Sequence, residues 1–141
     1  MSVTSHVLWI SASGEPSDVG IRDTSERSQI STNFSMMKVA DDVDPAAIVA
    51  SLIQAAGIAV FGVTLFTSAQ AAIPPRGMVM RIRVTAGTGP LKSVSGSAPT
   101  YQRPSIQILV NEETYEGAYE VSKAAYDLLL AVSNKDVTVT V

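Results

Sequence analysis

Few residues in this chain are equipped for chemistry, and their spacing narrows the set further. There is one histidine, His6, three residues before Trp9, and there is no cysteine. A general base needs hydrogen-bond reach to a partner inside a structured pocket, and His6 sits in a stretch that reads as an extension. Without cysteine there is no disulfide framework and no thiolate chemistry. Asp41, Asp42 and Asp44 lie close together, but they lack the alternating ligand spacing of a calcium loop. No His/Asp set has metal-ligand spacing either. Glu112, Glu113 and Glu116 suggest paired carboxylates, yet they fall in a turn and a first helical turn, where acid complements the helix dipole. Gly87-Thr88-Gly89 lacks the Gly-Lys-Ser/Thr ending of a phosphate cradle, and Pro90 removes a donor. The expectation is therefore no enzyme, no metal and no cofactor. Charge on surfaces remains: Arg76, Arg81, Arg83 and Arg103 against the acidic run 112–116. The arginines read either as a solvated sheet face or as a subunit contact, paired with acid on a neighbour.

The elements that position these residues centre on 101–132, YQRPSIQILVNEETYEGAYEVSKAAYDLLLAV. Pro104 opens a strand, where no ladder N–H is needed. Ile106, Ile108 and Val110 then share one face. Thr114 is a fitting N-cap for a helix over 114–132, in which Ala118, Val121, Ala125, Leu128, Leu129 and Val132 recur at three- and four-residue steps. Upstream, Asp44 as N-cap and Pro45 at the first helical position predict a helix over 45–56, closed by Gly57. Strands are expected near 60–67, 78–85, 105–110 and 137–141. In 78–85 the alternation is clearest: Met80, Ile82 and Val84 face one way, and Arg81, Arg83 and Thr85 the other. Asn134 reads as the left-handed residue that stops the second helix. The loop 86–100, rich in Gly, Ser and Pro, is long for a compact domain, and loops of that length are usually functional or disordered.

The expected fold is α/β of the α+β type, a small, mostly antiparallel sheet of about four strands with two helices on one face, spanning 41–141. Residues 1–40 read as a separate arm. Their Ser/Thr/Gly/Asp/Arg composition carries turn signals and no period beyond a possible edge strand at 7–10. Met36 and Met37 stand just before the domain, so the arm is also readable as residues upstream of another start. The opening MSVTSHVLWI has no Lys or Arg and only a four-residue apolar run, too short for a secretory signal.

The Tyr101-x-x-Pro104 start, Ile106-Gln-Ile-Leu-Val110, the short acidic turn and the Tyr/Ala-rich helix with its Leu-rich end together resemble the tail-terminator (tail-completion, minor capsid-like) proteins of long-tailed bacteriophages. The resemblance reaches back to about Asp44 and carries no catalytic signature. It implies a structural virion protein that caps the tail tube and joins it to the head connector, acting as a homo-oligomeric ring, typically a hexamer. Its implied partners are itself, the tube protein and the connector or stopper protein, in the virion neck and in the host cytoplasm during assembly. In such proteins a loop at the place of 86–100 extends from the sheet, which makes Gly87, Gly89, Pro90 and Lys92 the candidate partner-contact loop. Arg81, Arg83, Arg103, Glu112, Glu113 and Glu116 are the candidate subunit interface. Family members usually continue for another strand or two beyond the equivalent of Val141. The closing sheet here is therefore expected to be short, or completed by the N-terminal arm.

Composition bounds the alternatives. The chain has 141 residues, enough to bury a core without metal or disulfide. Its net charge of −3 argues against generic nucleic-acid binding, which relies on a basic face. Charged residues are 16% and mean hydropathy is +0.24, values that suggest apolar surface hidden in an assembly. Two other readings stay open. One is a different neck or head–tail adaptor with the same small fold, since fold alone does not fix function. The other is a single-pass membrane protein: Ala46 to Phe66 has the length of a span, with Asp41, Asp42 and Asp44 before it and Arg76, Arg81 and Arg83 after it. Against a span, Pro45 and Gly57 divide the stretch into a helix and a strand.

Overall fold

A computed structural model describes residues 2–18, 28–39, 41, 43–60, 62–67, 77–91 and 101–140. The chain order is β1 (Ser2–Ala12), β2 (Ser17–Asp18), β3 (Ser28–Val39), α1 (Pro45–Ala55), β4 (Leu65–Thr67), β5 (Val79–Leu91), β6 (Tyr101–Glu112), α2 (Tyr115–Leu130) and β7 (Ser133–Thr140). Six strands form one sheet in the order β4-β5-β6-β3-β1-β7, and the two-residue β2 pairs with β3. Among the described strands only β4 and β5 run parallel; the other pairs are antiparallel.

The α+β class with two helices stands, but the sheet is larger than the four strands expected. The difference lies in the first 40 residues. They were expected as a separate arm; instead β1 and β3 lie inside the sheet, with β3 hydrogen-bonded between β6 and β1. The reason is a period of two beneath the polar composition. Ile30, Thr32, Phe34 and Met36 are buried, whereas Gln29 before them and Ser31, Asn33 and Ser35 between them are not. Glutamine, serine and asparagine on the wet face disguise a half-buried strand as a loop. The closing strand β7 is completed by the N-terminal segment, as one expectation had it: β1 pairs with β7 from Ser2 opposite Thr140 to Trp9 opposite Ser133.

Both helices form where their caps predict. Asp44 accepts a hydrogen bond from the Ala46 N–H at 3.0 Å, with Pro45 next in line. The far end of α1 closes on Gly57, at φ +77°, where a side chain would be strained. The Gly57 N–H donates to the Gln54 carbonyl and the Ile58 N–H to the Ile53 carbonyl, the paired bonds of a Schellman stop. Strand β4 is shorter than the expected 60–67. The Val60 carbonyl accepts N–H groups from Val63, Thr64 and Leu65, with Gly62 at φ +82°. This turn consumes the residues that composition alone assigns to the strand. The apolar stretch 46–66 is thus helix, turn and strand, and among the described residues no helix is long and apolar enough to cross a membrane.

Helix α2 turns a slightly different face inward than its leucines suggest. Ala118, Ser122, Ala125 and Leu129 are buried, whereas Val121 and Leu128 are half-buried. Asn134 does have a left-handed backbone, at φ +45°, but it lies within β7 rather than at the helix stop, which is made by Ala131. Helix α2 packs on β3, β6 and β1, the middle of the sheet. Helix α1 touches β4 and β5 at one end of the sheet and β7 at the other. A strip of six strands reaches one helix from both ends only if it curls around it, as sheets with a consistent twist do. The apolar side chains of the concave face and both helices then form one buried cluster that includes Ile30, Phe34, Ile48, Ile53, Ile82, Ile108 and Leu129.

Candidate functional site

Among the described residues the concave face holds one buried charge, Lys38. Lys38 continues the inward parity of Ile30, Phe34 and Met36 and is fully buried. Its ammonium donates to Asp41 Oδ1 at 2.5 Å, to the Val39 carbonyl at 2.9 Å and to Gln102 Oε1 at 3.2 Å. Three donors meet three acceptors, so the cation is satisfied. Asp41 also accepts from the Ser5 hydroxyl at 2.8 Å and the Val43 N–H at 3.0 Å. Burial by itself pushes the Asp41 carboxyl up. The hydrogen bonds from Lys38, Ser5 and Val43, together with the Lys38 charge, outweigh it and hold the group below the ordinary carboxylate value. This cluster joins β1, β3 and β6 to the start of α1. No free nucleophile or base is left in it, and its role is to fasten the elements.

Among the described residues no three acidic or histidine side chains converge on a point that could hold a metal. His6 is not in a loose arm: it stands on β1 opposite Asp136 on β7, with Nδ1 2.7 Å from the carboxylate, on an exposed surface. Beside it Thr4 and Thr138 share a hydroxyl hydrogen bond of 3.1 Å. These pairs pin the terminal strand to its neighbour.

The expected interface residues divide between opposite sides of the sheet. Arg81 and Arg83 on β5 and Arg103 on β6 alternate with the buried residues of those strands, which puts them on the convex side, away from the helices. The register sets Arg83 opposite Gln107, and Arg83 Nε donates to Gln107 Oε1 at 2.7 Å. Gln107 Nε2 in turn donates to the Ser31 hydroxyl at 3.2 Å. The Arg103 guanidinium lies 5.3 Å from the centre of the Trp9 ring, a cation–π contact. Between these two strands Met37 is opposite Trp9 and shares the convex side. Strands β3 and β5 contain no acidic residue, and β6 has only Glu112, at its last position.

The glutamates are at the start of α2, on the helix side. Glu112 is held within the chain: its Oε1 accepts the Glu113 N–H at 3.0 Å. Its Cγ lies 2.8 Å from where a Cβ on Gly117 would be. Thr114 Oγ1 caps the helix by accepting the Gly117 N–H at 3.1 Å. Glu113, Glu116 and Glu120 are exposed. Tyr115 and Tyr119 stack beside them, ring centres 6.2 Å apart, and Tyr115 is 47% exposed. No ion pair among the described residues joins these glutamates to the three arginines.

No family model, curated protein or solved structure matches this chain. Its sites are therefore read from their own geometry. The structure brings Arg81, Arg83 and Arg103 onto one surface and Glu113 and Glu116 onto another; it does not bring the two sets together. The candidate loop splits: the backbone of Gly87, Gly89 and Pro90 belongs to β5, which runs to Leu91 and pairs with Tyr101 there, while Lys92 and Arg76 lie outside the described residues. Composition had read 86–100 as one loop because glycine and proline interrupt strands. Here β4 pairs with β5 only at 80–82, and on the other side the β5–β6 register shifts between Thr88 and Leu91, the irregular stretch that contains Pro90. Sequence reasoning missed Lys38, Gln102, Trp9, Gln107, Tyr115, Tyr119 and Glu120. Parity was the available signal for Lys38: it is four residues from Phe34 and two from Met36.

Proposed function

We propose that this chain is a structural virion protein that closes the end of a phage tail tube and joins it to the head connector, working as a ring of identical subunits, a hexamer. The tail-tube role rests on the resemblance carried by residues 101–132; the observation that carries the ring is the separation of charge. A cationic convex face and an acidic helix start sit on opposite sides of one sheet, and no contact among the described residues neutralises either. A closed ring needs two different, complementary surfaces on each subunit, and these two have that character. The function is binding rather than catalysis: the buried cation among the described residues, Lys38, is consumed by structural hydrogen bonds. The tube protein and the connector or stopper protein are the further partners, in the virion neck.

The test has two stages. Native mass spectrometry of the purified chain is expected to show a closed oligomer with one dominant stoichiometry. Electron microscopy of that oligomer mixed with tubes of the tail protein is expected to show rings at tube ends. A stable ring that never sits on a tube end would overturn the capping role and leave a different neck component as the reading.

A further inference from the structure

We infer that the convex face of β5, β6 and β3 is the receptor for the first turns of α2 of a second copy of this chain; this rests on the ring reading above and assigns its contact. Three properties of the face select the occupant. Among the described residues its cations have no acidic partner: Arg81, Arg83 and Arg103 project from strands whose only acid is Glu112, at the far end of β6 and folded onto α2. Its guanidinium groups are preoriented, Arg83 by Gln107 and Arg103 by the Trp9 ring. With Trp9 of the adjoining β1 it also presents the side-chain types that dominate binding energy in protein contacts, Trp and Arg with Met37 beside them. The complement is on the same chain. From Asn111 to Ser122 there are four glutamates and no base, and Glu116 and Glu120 flank the stacked, outward Tyr115 and Tyr119. Arginine binds carboxylate bidentately and stacks on aromatic rings, so an acid-and-tyrosine ridge fits this face in both respects. The two surfaces cannot meet within one molecule, because the sheet stands between them. They meet between molecules, and because they differ, the contact is head-to-tail.

The absence of native cysteine makes a direct test available. Ser105→Cys places a thiol on the convex face between Arg103 and Gln107, and Glu120→Cys places one on the α2 ridge. The double variant, oxidised mildly, is expected to give a ladder of disulfide-linked chains on a denaturing gel, while each single variant gives at most dimers. A second arm uses charge. Arg81→Glu with Arg83→Glu, and separately Glu116→Lys with Glu120→Lys, are each expected to remain folded by circular dichroism and to lose self-assembly at least tenfold in concentration. Mixing the two is expected to restore alternating assemblies. A wild-type chain that stays monomeric at every concentration overturns both this contact and the ring. A wild-type ring with no ladder, or one that survives the arginine reversal unchanged, overturns this contact and leaves the ring standing. If a charge variant fails to fold, the disulfide ladder alone decides.

Discussion

Removing the negative partner of Lys38 should damage the fold more than removing Lys38 itself. Asp41→Asn keeps the shape of the side chain but leaves a fully buried ammonium facing only neutral acceptors, the Val39 carbonyl and Gln102. Breaking a buried pair so that one charge is stranded costs about 3–5 kcal/mol. Lys38→Met removes the stranded ion and fills most of its volume. The carboxylate left behind has a side chain that is 27% exposed and keeps Ser5 and the Val43 N–H, so water and two hydrogen bonds still solvate it. Replacing a buried ion by an apolar side chain of similar size is often near neutral, and about 1–2 kcal/mol is expected here for the lost hydrogen bonds. The order Asp41→Asn worse than Lys38→Met is the prediction, read by urea unfolding at neutral pH followed at 222 nm. The acid side supplies a second readout. Because Asp41 is held below its ordinary value when folded, its stabilisation is complete above the unfolded-chain value of 3.8 and is lost as the pH falls from there through the lower folded value. Lys38→Met should flatten that acid limb. Equal destabilisation by the two substitutions, or Lys38→Met as the worse, would refute the stranded-charge argument.

Three further outcomes can be measured in the same way. Gly117→Ala should destabilise although alanine favours helix, because its Cβ would come within 2.8 Å of Glu112 Cγ and 2.9 Å of the capping Thr114 Oγ1; unfolding midpoints compared with Glu112→Ala/Gly117→Ala should show part of the loss recovered. Ser122→Ala should raise stability by about 1 kcal/mol, since the buried Ser122 hydroxyl has no hydrogen-bond partner among the described residues. Leu129→Ala and Ile108→Ala, both buried, should each cost about 2–5 kcal/mol, while Leu130→Ala, 39% exposed, should stay within about 1 kcal/mol of wild type.

The helices were legible because their signals are local. Asp44-Pro45, Gly57 and Thr114 each act on residues within four positions of themselves, so a short window contains the whole cause. The convex arginines were legible for the same reason, as Met80-Arg81-Ile82-Arg83 shows its period directly. What stayed hidden depends on partners far away in the chain. Strand β3 has enough apolar inward residues for one face, but its polar outward face becomes reasonable only once β6 and β1 flank it. Strand β4 looked longer because Val60 and Val63 are β-branched, yet they are exposed in a turn that Gly62 permits. Lys38 illustrates the limit most directly. A lysine after Met36-Met37 reads as the polar end of a strand, and only Gln102, 64 residues away, and Asp41 make its burial tolerable. The acidic turn was placed correctly, but nothing in its sequence told that Glu112 would be spent on its own helix.

The pairing of the first strand with the last has a consequence for how the chain comes into being. His6 meets Asp136 and Thr4 meets Thr138 across separations of 130 and 134 residues. During synthesis, at roughly 5–20 residues per second, β1 is made before β7 and must wait on the order of ten seconds for it. Through that interval one edge of β1 presents unsatisfied backbone groups, and α1 lacks one of its walls. Contacts this distant also slow folding, since the loop must close before anything is gained. Nascent chains stopped before Ser133 would thus carry an open edge that invites strand pairing with neighbours on the same polysome. The last eight residues of the sheet act as the step that retires this hazard, and chaperone dependence should concentrate in chains that have not yet reached them.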